Sequence, residues 1–223
     1  MVVGVSAKLT DVDNGRHPAA PAPPRAWRSA LPAVGLEQQI CAAAVRLVAR
    51  WGIRKTTIGD IAKEAGCSRA TVYRAFPGGK TELLLAAAAG EHGALLEGVA
   101  DRAAGAVDGE SALVAVITFA AHSVSEHGGF QFVLAHEPDI VLPLLGFGEQ
   151  DRLYAQIAEL IGPHLEPFFG GQAGWAAEWG ARAVLSYEFN PSPVVSLTDE
   201  ADTRRIVRQF LLPALSRFPS AHA

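Results

Sequence analysis

The 223-residue chain has only two cysteines, Cys41 and Cys67, and a single methionine. Two thiols cannot build a disulfide framework or a four-cysteine zinc site, so the chain reads as a soluble intracellular protein with reduced thiols. Nowhere does an uninterrupted apolar run approach the ~20 residues that a membrane-spanning helix requires. The first residues, MVVGVSAKLTDVDNG, lack a charged start followed by an apolar stretch, so no secretory signal is evident. Alternating apolar and polar runs bounded by turns are missing, as are internal repeats. So are the HExxH zinc motif, the nucleophile elbow, the phosphate-binding loop and the dinucleotide fingerprint. What is present is apolar bulk: 49% of the residues are hydrophobic, enough for a sizeable core.

The net charge of −4 conceals an asymmetry. Residues 36–80 hold eight basic side chains (Arg46, Arg50, Arg54, Lys55, Lys63, Arg69, Arg74, Lys80) against three acids (Glu37, Asp60, Glu64), a local charge of +5. Residues 81–223 hold seven basic and 18 acidic residues, a local charge of −11. A small basic module joined to a larger acidic one points to an anionic partner for the first. Residues 1–35 contain five prolines and little to bury, and read as a flexible extension.

Helical periodicity governs the remainder. Leu36, Ile40, Ala44, Leu47, Val48 and Trp51 share one face of a helix that Gly52 stops. Thr57 offers an N-cap for a short helix carrying Ile58, Ile61, Ala62 and Ala65 inward, and Gly66 ends it. Ser68 caps a third helix, Arg69 to Phe76, which Pro77-Gly78-Gly79 breaks. A longer helix starts near Lys80-Thr81 and runs to about Leu96. Further helices are expected over 112–125 and 130–136, from Pro138 through Leu144 and Leu145, and over 150–165 and 172–189. Thr198 is expected to cap a last helix, 199–217, with Pro213 inside it. The fold class is all-α.

Two short helices meeting at a glycine turn, with small Ala62 and inward Val72 at the junction, meet the physical demands of a helix-turn-helix. The outer face of the second helix carries Ser68, Arg69, Thr71, Tyr73 and Arg74, whose hydroxyls and guanidinium groups suit base edges and phosphate oxygens. Lys80, at the start of the next helix, suits phosphate.

Thr56-Thr57-Ile58, Ile61-Ala62, Ala65-Gly66-Cys67-Ser68, Thr71-Val72-Tyr73-Arg74 and Phe76, followed by Pro77-Gly78-Gly79-Lys80-Thr81-Glu82-Leu83-Leu84, resemble the signature of the TetR/AcrR family of bacterial transcriptional regulators. The resemblance covers 36–85. It departs in Cys67, where a valine is usual, and in the second glycine of Pro77-Gly78-Gly79, which lengthens the turn. It implies a cytoplasmic homodimer that binds a pseudo-palindromic double-stranded DNA operator, a ligand-responsive repressor without cofactor or metal. The domains implied are an N-terminal extension (1–35), a three-helix DNA-binding domain (36–85), a larger ligand-binding and dimerisation domain (86–218) and a tail (219–223). Thr57, Ser68, Arg69, Thr71, Tyr73 and Lys80 occupy positions that often touch DNA in the family. Ala70 joins them as a close-approach position and Arg74 on its chemistry.

In the acidic half, 172–189 and 199–217 would form the dimer seam. Trp175, Trp179 and the Gly180-Ala181 pair lie on the first, Phe210 and Leu215 on the second. Phe119, His122, Phe130, Phe132, His136, Trp175, Trp179 and Tyr187 are candidate lining residues for a small lipophilic or aromatic effector. Two other readings stand beside this one. An enzyme would use His122, Glu126 and His127 or His136-Glu137-Pro138-Asp139, but His127 stands off the helical face shared by the first two, and the proline makes the second set a loop. A DNA-binding dimer without any effector is the other.

Overall fold

The computed structural model describes residues 35–141 and 149–217. The expectations for 1–34, for the helix beyond Val141 through Leu144 and Leu145, and for 219–223 lie outside these residues. Among the described residues the structure is helical without strands. In chain order the helices are α1 (Leu36–Lys55), α2 (Ile58–Glu64), α3 (Arg69–Ala75), α4 (Gly79–Ala104), α5 (Gly109–Ser125) and α6 (Gly128–His136). They continue with α7 (Pro138–Val141), α8 (Glu149–Phe169), α9 (Ala173–Phe189), α10 (Glu200–Ile206) and α11 (Leu212–Arg217). A 3-10 turn, Gly170–Gln172, joins α8 to α9, and a π turn, Val207–Leu211, joins α10 to α11. These elements form two compact units, 35–92 with 128–141 and 93–127 with 149–217. The expected boundary at 85/86 thus falls inside α4.

In the first unit, Ile40, Ala43, Ala44, Leu47 and Val48 bury one stripe of α1 against α2 and α6. Ile61, Val72 and Leu83 bring α2, α3 and the start of α4 into the same core, all fully buried. Leu36 and Trp51 do not join it: they are 42% and 43% exposed. Both keep the angle of the stripe but stand at its two ends, where the covering segments leave them open. Gly52 breaks the helix as expected, with φ 81° inside the assigned span.

The second unit is built around α5, whose Leu113, Val114, Val116 and Ile117 are all buried. Asp108 caps it by accepting from the Ser111 amide, and Ser111 answers with a bond from the Asp108 amide to its hydroxyl. The α8–α9 hairpin closes over this helix. A Cβ on Gly162 would meet the Gly174 Cα at 3.3 Å, so the two backbones approach directly. Gly180, expected at a dimer seam, lies buried in this unit, where a Cβ would stand 3.3 Å from the Ile117 side chain.

Several ends differ from expectation. α4 continues to Ala104 rather than Leu96, carrying Gly98 within it, and no proline intervenes before Gly105. It is the one described helix long and apolar enough to cross a membrane by length and composition, yet Leu83, Leu84, Ala87, Val99 and Ala103 are buried in the protein. α8 passes Leu165 and tolerates Pro163 and Pro167 before Gly170, at φ 50°, ends it. Asp199, not Thr198, caps α10: its carboxylate accepts from the Asp202 amide at 2.9 Å, while the Thr198 hydroxyl pairs with Ser196. The last helix is not continuous. Pro213 has no N–H to offer, and the turn before it widens so that the Leu212 amide reaches the Val207 carbonyl.

Ile117, 2% exposed at the junction of α5 and α9, is the sharpest probe of this core. Ile117→Ala should lower the unfolding free energy by about 2–5 kcal/mol, measured by urea denaturation.

Candidate nucleic-acid interface

The interface begins with a cap. The Thr57 hydroxyl donates to the Asp60 carboxylate at 2.5 Å, the Thr57 amide reaches the same oxygen at 3.2 Å, and the Asp60 amide returns a bond to the hydroxyl. Reciprocal bonds of this kind satisfy otherwise orphaned donors at the start of α2. The turn that follows is equally specified. The Cys67 amide bonds the Ala62 carbonyl at 2.9 Å, the Gly66 amide bonds the Lys63 carbonyl at 3.2 Å, and Gly66 takes φ 69°. This nested pair of bonds around a left-handed residue is the Schellman arrangement, which a side chain at Gly66 would strain. Half-buried Cys67 is the residue on which the chain leaves that turn. The Ser68 hydroxyl then accepts from the Thr71 amide at 3.1 Å and opens α3.

α3 buries Val72 and presents the opposite side to solvent. Ser68, Arg69, Ala70, Tyr73 and Arg74 are exposed, with Thr71 half-buried among them. Thr57 is exposed at the start of α2. Tyr73 is 52% exposed, and its ring edge lies 3.7 Å from where a Cβ on Gly79 would stand. Gly79 takes φ 69° and is the first residue of α4, so the second glycine of Pro77-Gly78-Gly79 is the one that turns the chain. Lys80 follows it, half-buried. The eight expected DNA contacts therefore belong to one continuous module, α2 through the first turn of α4.

Arg69 departs from simple projection. Its guanidinium folds back over α2 into the space that a Cβ on Gly59 would occupy. There its charge helps hold the Asp60 carboxyl below the ordinary value of 3.8, an effect led by the Thr57 hydroxyl hydrogen bond. The basic excess of the module is also partly internal. Glu64 pairs with Arg46 at 2.9 Å and with Arg50 at 3.9 Å, and Arg54 pairs with Asp139.

A second feature escaped sequence reasoning. Glu137, only 6% exposed, accepts from the Ile53 amide at 2.8 Å and the Arg54 amide at 3.1 Å. Both amides follow Gly52, where a Cβ would collide with the Glu137 carboxylate and the Phe132 ring at 2.7 and 2.8 Å. The α6–α7 elbow therefore clasps the end of α1. The His136-Glu137-Pro138-Asp139 run thus has its two carboxylates engaged by α1.

The residues expected to line an effector cavity are divided between the two units. Phe119 and His122 line a cleft in the second unit. Phe130, Phe132 and His136 lie on α6 in the first unit, where the Phe132 and His136 rings stack at 4.3 Å. Trp179 and Tyr187 pack on the core of the second unit, and Trp175 is 39% exposed on α9. His122 and Glu126 pair at 3.7 Å. Among the described residues no group of three His, Cys, Asp or Glu side chains could hold a metal ion.

A capped helix, a Schellman turn and a second helix with a polar, cationic outer face define a helix-turn-helix protein. Residues 40–87 match the model of the family described as bacterial regulatory proteins, tetR family. The full helical fold is similar to the TetR family repressor AlkX from Dietzia sp. strain DQ12-45-1b, with a TM-score of 0.57 and 22% identity over 83% of this chain and 98% of that one. It is also similar to the fatty acid degradation regulator FadR from Bacillus halodurans, with a TM-score of 0.55 and 16% identity over 82% of this chain and 99% of that one. No curated protein matches the chain in sequence. Residues 40–87 thus carry a tetR-type DNA-binding domain, and the chain resembles those two solved structures in fold.

Two tests follow from this geometry. Glu137→Gln exchanges one accepting oxygen for a donor that faces backbone N–H groups. It should lower stability by about 1–3 kcal/mol and speed amide exchange at Ile53 and Arg54. The second concerns Asp60, whose carboxyl is depressed in the folded protein, so its stabilisation is present above 3.8 and lost as pH falls through the lower folded value. The stability gap between wild type and Asp60→Asn at neutral pH should therefore close in acid, as followed by denaturation across pH.

Proposed function

We propose that the protein is a ligand-responsive transcriptional repressor that binds a pseudo-palindromic operator as a homodimer and is released by a small lipophilic or aromatic effector. The observation that carries this reading is the exposed polar and cationic face of α3, displayed on a helix-turn-helix whose cap and turn are fully hydrogen-bonded. Thr57, Ser68, Arg69, Ala70, Thr71, Tyr73, Arg74 and Lys80 form the DNA-facing set in this proposal. Hydroxyls and backbone groups at helix starts suit phosphates, while Arg69, Thr71 and Arg74 suit base edges. The domains are a DNA-binding head, 36–85, and an effector and dimerisation domain, 86–218.

Dimerisation is supported by large apolar side chains left open on the second unit: Leu160 on α8, Trp175 on α9 and Phe210 in the π turn, 45%, 39% and 59% exposed. Aromatic and aliphatic groups of this kind are what a stable subunit interface covers. The clasp of Glu137 on the end of α1 supports regulation of the head. Movement of the α6–α7 elbow would disturb two backbone hydrogen bonds at the base of the helix-turn-helix.

The test is a gel-shift with purified protein and the DNA flanking its own gene, with non-specific DNA in excess and salt near physiological. A competitor-resistant complex that weakens steeply with salt is expected, because phosphate contacts release counterions. Arg69→Ala should weaken that complex by about 1–3 kcal/mol and relax preference at one base position if Arg69 reads a base. Absence of any specific complex, there and in a genome-wide selection of bound fragments, would overturn the regulator reading.

A further inference from the structure

The second unit holds a cleft of about 660 Å³ between the end of α4, one face of α5 and the start of α10. That volume falls within the range of small-molecule sites. Its charged side chains have polar partners except one. Arg204 is bonded to Glu110 and Glu200 at 2.9 and 2.6 Å, and His122 faces Glu126 at 3.7 Å. Arg102 has no carboxylate within 4.0 Å among the described residues, and its guanidinium lies 4.0 Å above the Phe119 ring instead. The ring itself is seated by Gly98, since a Cβ there would overlap it.

A second group in the same cleft also lacks a partner. The Thr118 hydroxyl is buried and has no hydrogen-bond partner among the described residues. A buried polar group in that condition is destabilising until something bonds to it. The rest of the wall carries Gly105, Ala106, Val107, Val114 and Ala115, with the serines Ser111 and Ser123 beside them.

We propose that this cleft binds an amphiphilic monocarboxylate, with its carboxylate on Arg102 and the Thr118 hydroxyl and its apolar body along α5. A guanidinium and a hydroxyl complement one carboxylate. Glu126 and Glu200 also line the cleft, and a single negative charge meets less opposition there than a phosphate dianion or a polyphosphate. The proposal rests on reading the second unit as the effector half, and it assigns that half a site and a ligand class.

The experiment is calorimetric titration of the full-length protein with decanoate and, separately, with decanol. Decanoate should bind the wild type, and Arg102→Gln should weaken it by about tenfold or more while leaving decanol unchanged. Thr118→Val should weaken decanoate in the same direction without removing it. Arg102 is exposed, so its variant should keep the wild-type melting temperature and a folded reference is assured. No decanoate binding, or binding that Arg102→Gln leaves intact, overturns the site. Gel-shifts with decanoate added separate the two readings. Arg102-dependent binding without any change in DNA affinity leaves the site standing and overturns its role as effector pocket. Loss of specific DNA binding by the ligand-free protein overturns the regulator reading alone.

Discussion

The head depends on one turn. Gly66, at φ 69°, lets the Cys67 and Gly66 amides close back on the carbonyls of Ala62 and Lys63, and these bonds set the direction in which α3 leaves α2. What faces outward on α3 does so because Val72 is fully buried on its opposite side, and Ala62 on α2 is buried in the same unit. The two caps complete the arrangement by fixing where each helix starts. The outer face is thus defined by backbone geometry before any of its own side chains is considered.

The basic charge that singles out residues 36–80 serves two ends. Arg46 and Arg50 hold α2 against α1 through Glu64, and Arg54 holds the α6–α7 elbow through Asp139. Such exposed pairs contribute little stability individually, but they fix which surfaces face each other. In the proposed reading, the cations of α3 and of the start of α4 are the portion that meets DNA. The elbow itself is secured by Glu137, whose carboxylate takes the two amides that Gly52 turns toward it.

Much of this was legible in the sequence, because caps, turns and the helix-turn-helix act over a few residues. Thr57, Gly66, Ser68 and Pro77-Gly78-Gly79 each announce themselves to their neighbours, and the structure uses them so. What stayed hidden acts over long separations. Glu137 meets Ile53 across 84 positions, and no local pattern distinguishes it from a surface acid before a proline. Arg69 looks outward on a helical wheel, yet its long side chain finds the bare backbone of Gly59. The aromatic residues of the acidic half fall in both units, and a helical pattern shows that a face is buried and not what covers it. The break before Pro213 was visible as a proline, but the wider turn that absorbs it was not.

The resting place of Arg69 bears on how selective the head can be. Over Gly59, the guanidinium lies in the field of the Asp60 carboxylate, which acts as a built-in imitation of a phosphate. In the proposed reading, a polyanion must compete with that imitation before it gains the arginine. The same carboxylate also closes the cap of α2. One acidic side chain therefore both attracts the arginine and closes the start of α2, so that loosening its hold on the arginine bears on the helix beneath it.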